Sequence, residues 1–216
     1  AHGGPYSESP KPALAARWLS VMQSLSVKNM PGADRLAWAA YGAGDYPAAE
    51  RWLTVGGANG RGTPLGQWIQ AKLFLRQGAT DKAMTCLAAA AKAFPQNEEW
   101  NDVPEEDGNV NVFPARRTAG NLAALTLARR HYTDALELLF RNGFITDGHY
   151  LAERVLTIDE LKTFVDSHPR IQPDASELPR GDDPLEPNPT VPPYADLTAL
   201  RALLTRRLVR LGRWKE

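Results

Sequence analysis

Four histidines, one cysteine and a run of carboxylates are the side chains of this 216-residue sequence best suited to chemistry. His2, His131, His149 and His168 fall in separate local contexts, and no HExxH, paired-ligand or triad-like spacing joins them. His149 and Glu153 share one helical face at the spacing of an ordinary surface pair. A hydrolytic or metal site there would lose activity when either is replaced. His2 beside a free amino terminus could hold copper, although a polar tail is the simpler reading. Cys86 lies in AMTCLAAAAKAF, an apolar run, whereas a nucleophilic thiol needs a cationic and exposed setting. The acids Glu98, Glu99, Asp102, Glu105, Glu106 and Asp107 miss the alternating ligands and glycine of a calcium loop. GANGRGTPLG, residues 57–66, lacks the lysine of a phosphate loop and is preceded by no strand, so it reads as a turn. No catalytic residue, metal ligand or cofactor is assigned, and the chain is read as a non-enzyme.

Composition narrows the partners. Lys plus Arg and Asp plus Glu are both 25, so no global field draws the chain to nucleic acid or anionic lipid. No run of apolar residues is long enough to span a membrane. The opening AHGGPYSESP, a small residue and then polar Gly/Pro-rich sequence, resembles the start of a mature chain after signal cleavage. A periplasmic or secreted location is expected from it, with a cytoplasmic one as the alternative.

The elements that would position any site are helices in a repeating arrangement. DRLAWAAYGAGDYPAAERWL and GQWIQAKLFLRQGATDKAMTCL each read as an alanine-rich helix that ends at a glycine, Gly44 or Gly78, and then a second helix. The two glycines are 34 residues apart. A third unit, NLAALTLARRHYTDALELLF, lies 52 residues further on, with Arg130 where the glycine should be. The extra length is assigned to residues 97–114, an acidic insertion with two prolines that is expected to be a loop. Two short helices come next, the second opened by a capping box of Thr157 and Glu160. Residues 169–193 hold eight prolines and are expected to form an extended strap. Residues 1–11 form a tail, and helix 12–25 covers the first repeat. Residues 194–216 begin a further repeat that stops at Gly212 and Trp214. Its uncovered apolar edge, Leu203, Leu208 and Leu211, would invite self-association or mark a cut in a longer polypeptide.

This period, with Gly-Asp-Tyr at the turn and small residues Ala37, Ala71, Ala49 and Ala83 where helices touch, resembles the tetratricopeptide repeat. Ala123, Tyr132 and Ala135 take the same places in the third unit, and Pro95 stands where that family stops its second helix. The resemblance implies an all-α, right-handed helical-hairpin solenoid over residues 12–168, carrying the acidic insertion and the Pro-rich strap.

It also implies a concave face lined by the first helix of each repeat. Asp34, Trp38 and Tyr41 fall on it from the first unit, and Trp68, Lys72, Leu75 and Arg76 from the second. Ala124, Leu127 and Ala128 are added by the third, Arg206 and Arg210 by the fourth. An aromatic wall beside a basic one suits a protein or peptide with acidic or aromatic side chains. The tryptophans have a second reading, as core between repeats. The carboxylate clamp of the family, which holds a chaperone's C-terminal peptide, needs Lys and Asn where this chain has Asp34 and Trp38. The acidic loop or the strap could instead occupy the groove in cis. A protein-interaction scaffold is expected, and the alternative is a helical accessory region of a larger exported enzyme or envelope assembly.

Overall fold

A computed structural model describes residues 17, 21, 29–105, 108–168, 197–213 and 215, with backbone alone over 101–105 and 108–110. Helix 12–25 thus lies outside the described residues except for Arg17 and Val21, both helical and exposed, and the tail and strap lie outside them altogether. Nine α-helices and one β-hairpin are present among the described residues. None of these helices is long and apolar enough to cross a membrane. The chain divides into two compact units, residues 1–125 and 126–216.

The first unit contains α1 (Ala33–Gly42), α2 (Tyr46–Val55), α3 (Pro64–Arg76) and α4 (Thr80–Ala93). Asp45 caps α2 by accepting from the Ala48 N–H at 3.0 Å, and Thr63 caps α3 by accepting from Gly66 N–H at 3.0 Å. Helix α1 packs on α2 and on α3, and α3 packs on α4. The alanines expected at the helix contacts, Ala37, Ala49, Ala71 and Ala83, are all completely buried. A larger side chain there would push the helix axes apart. The glycine-rich turn joins α2 to α3 through a short 3₁₀ segment, Gly57–Asn59. Backbone crosses backbone here: a Cβ on Gly66 would fall 1.6 Å from the Gly60 carbonyl oxygen.

The insertion is not the featureless loop its composition suggested. It forms an antiparallel hairpin of β1 (Trp100–Glu105) and β2 (Gly108–Val112), with Trp100 opposite Val112. The burial of Trp100 and Val112 against the first unit's core accounts for it. Helix α5 (Pro114–Ala128) comes next and runs across the division between the units.

The second unit holds α6 (Tyr132–Arg141), α7 (Ile145–Arg154), α8 (Ile158–Ser167) and α9 (Leu197–Arg210). The expected capping box is present: Thr157 Oγ1 accepts from Glu160 N–H at 3.2 Å, and Glu160 Oε2 accepts from Thr157 N–H at 2.8 Å. Helix α9 packs against α7 and α8, burying Leu197, Leu200, Leu203, Leu204 and Leu208. The apolar edge foreseen at this helix is therefore mostly covered. Leu203 and Leu208 are core, and only Leu211, 64% exposed, keeps the expected exposure. Two arginines of α9 serve as caps. Arg207 donates to the Ala152 and Leu156 carbonyls at 2.8 and 2.9 Å, and Arg201 donates to the His168 carbonyl at 2.5 Å. These are the carbonyls that the ends of α7 and α8 leave without an intrahelical donor.

One backbone turn recurs in both units. Gly44, Gly78, Arg130, Gly143 and Gly212 all have φ between 63° and 79°. At each, the next residue donates its N–H to a carbonyl five residues back, as Asp45 does to Ala40 and His131 to Thr126. This is the Schellman termination of a helix. Arg130 adopts it without being glycine, so the third turn keeps its geometry despite the substitution.

Candidate functional site

Within the first unit, α1, α3, α4 and α5 enclose a groove of about 460 Å³, lined by Tyr41, Lys72, Leu75, Arg76, Leu87, Asn121, Ala124 and Leu125. Lys72, Leu75 and Arg76 lie on one face of α3 because they are three or four residues apart, and Tyr41 reaches the groove from the end of α1. None of the lining residues is acidic.

Lys72 holds its ammonium 5.2, 5.6 and 5.8 Å from the ring centres of Trp68, Tyr41 and Trp38. Negative ring faces favour the cation, but partial burial opposes it. Burial pushes the Lys72 pKa below the usual lysine value, and the like charge of Arg117 adds to that shift. Arg76 lies flat over Tyr46, its guanidinium carbon 3.6 Å from the ring centre. Among the described residues, neither Lys72 nor Arg76 has a carboxylate partner. Tyr41 packs edge-on against Tyr46 at 5.3 Å, and its hydroxyl pKa is raised by burial and by Tyr46, against the opposing charge of Arg76. It is a neutral hydroxyl at physiological pH.

Seven of the residues proposed for the concave face come together here: Trp38, Tyr41, Trp68, Lys72, Leu75, Arg76 and Ala124. They do so at different depths. Trp68 is only 2% exposed and belongs to the core, stacked on half-buried Trp38 at 5.1 Å. Its role is to support the groove from beneath, in keeping with the core reading of the tryptophans. Arg206 and Arg210 are exposed on α9 of the second unit. Leu127 and Ala128 are exposed, and both belong to the second unit.

Sequence reasoning missed Trp100, Phe94 and Asn121. Trp100 stands 5.6 Å from Trp68 and 5.9 Å from Phe94, closing the aromatic cluster, and a tryptophan within an otherwise acidic, polar stretch was the available signal. Asn121 lines the groove from α5, but its place depends on how far the hairpin sets α5 from α3.

The histidines among the described residues, and Cys86, sit in local packing or ion-pair contacts. His149 packs edge-on against Phe140 at 5.6 Å, and exposed His131 faces Asp134 at 3.5 Å. His168 joins Glu137 at 2.9 Å, while Glu137 also takes Arg141 at 2.5 Å. The Cys86 thiol is half-buried, and burial raises its pKa, which disfavours the thiolate. No family model matches the chain, and neither the curated proteins nor the solved structures contain a match.

Proposed function

We propose that this protein is a tetratricopeptide-like interaction scaffold, not an enzyme, which holds an acidic segment of a partner protein in the groove beside Lys72 and Arg76. The observation that carries the reading is the pairing of two cations, one helical turn apart, with an apolar and aromatic lining that offers them no carboxylate. A partly desolvated ammonium gains most from a partner that brings negative charge into the same low-dielectric space. Arg adds a planar fork suited to a carboxylate. The recurrent left-handed turn and the buried alanines support the repeat reading.

Affinity capture from the native source with wild type, Lys72→Glu and Arg76→Glu tests it. Partners held by the wild type are expected to be lost by both variants, with folding checked by circular dichroism. Retention of every partner by well-folded Arg76→Glu would remove the groove from the binding surface.

A further inference from the structure

Resting on the groove reading above, the geometry points to a ligand class: an extended peptide with two acidic side chains two residues apart, flanking one residue whose side chain points away. Lys72 and Arg76 are four residues apart on α3, which sets their origins about 6 Å apart along the helix axis. In an extended chain, alternate side chains share a face and recur every ~6.6–6.8 Å. Two such carboxylates therefore match the spacing at which the two cationic side chains leave α3. Adjacent acids would point to opposite faces and reach only one.

The spacing match favours the extended form: on a helix, acids two apart point to different faces. Asn121, on the α5 side, presents both an amide donor and an acceptor, which is what the unpaired backbone of an extended peptide needs. Leu75, Leu87 and Leu125 supply apolar contact beside the acids. Binding of this kind leaves Trp68 buried and asks no rearrangement of the aromatic cluster.

The test uses short fluorescent peptides blocked at both ends, identical in composition, with two glutamates placed either adjacent, two apart or four apart, and a glutamine control. Titration by anisotropy against the full chain at ~0.1 M salt should show the two-apart peptide binding at least about tenfold tighter than the others. Arg76→Gln, at an exposed position, should bring it down to the level of the others. Lys72→Gln should do the same, with thermal melts showing that both variants fold. Equal affinity for all three acidic spacings, lost on Arg76→Gln, would overturn the spacing while leaving the groove as the binding surface. No binding of any acidic peptide, with partners still captured through Arg76, would overturn the ligand class alone. Binding that persists in both variants would overturn the groove as well.

Discussion

At the scale of single residues, the aromatic cluster separates support from contact. Trp68 has its indole Nε1 buried without a hydrogen-bond partner among the described residues, as does Trp52. An unpaired buried donor costs about 1–3 kcal/mol, so these tryptophans are kept for the volume and faces of their rings. Trp68→Ala is expected to destabilise by about 3–5 kcal/mol through the cavity it leaves, whereas Trp68→Phe, which loses the orphaned N–H along with some volume, should cost less than half as much. Chemical denaturation of the two variants measures both. That Trp38 and Tyr41 share a face was legible from spacing alone, because residues three apart on α1 must do so. The depth of Trp68 could not be read that way. A tryptophan on the inner stripe of α3 has the same spacing whether its ring is covered or open, and what covers it is Trp100, from a hairpin 32 residues further along the chain.

At the scale of elements, the left-handed turns and the caps decide where helices stop. Arg130 holds φ at 63°, a conformation costing a side-chain-bearing residue about 1–2 kcal/mol. Glycine would relieve that cost but adds about 0.5–1 kcal/mol of unfolded-chain entropy. Arg130→Gly should therefore stabilise by roughly 0.5–1 kcal/mol, visible as a higher denaturation midpoint. The capping box of α8 gives a pH-dependent counterpart. Glu160's carboxyl is held below its ordinary value of 4.5, first by the Thr157 hydroxyl and then by the Thr157 N–H. A carboxyl pKa lowered on folding stabilises fully above the unfolded value, and that contribution is lost as pH falls through the folded one. Thr157→Ala should cost about 1 kcal/mol at neutral pH. Its deficit relative to wild type should shrink on acidification below pH ~4, as thermal melts across that range would show. The capping box was legible because its residues are neighbours, and the hairpin was not, because its acidic composition hid the alternation of Val110 and Val112.

At the scale of the molecule, a net charge of zero conceals a groove with local positive character, because the acids that balance it lie elsewhere in the sequence. The two hydrophobic clusters, one centred on Trp68 and Leu53 and the other on Phe140 and Leu161, share no residue. Helix α9 shows what periodicity leaves open. Its stripe of leucines was evident, but the helices that bury it precede it by more than two dozen residues, so sequence could not show that α7 and α8 cover it. The same holds for Arg201 and Arg207, whose partners are backbone carbonyls and leave no trace in residue type. The crossing of Gly60 and Gly66 bears on the groove as well. With backbone already against backbone, the turn leaves no room for a side chain at Gly66, so any Gly66 substitution would have to displace the start of the helix that carries Lys72 and Arg76. Gly66→Ala is therefore expected to shift that helix start and to lower the thermal midpoint, a cost that falls on the scaffold of the groove and not on its lining.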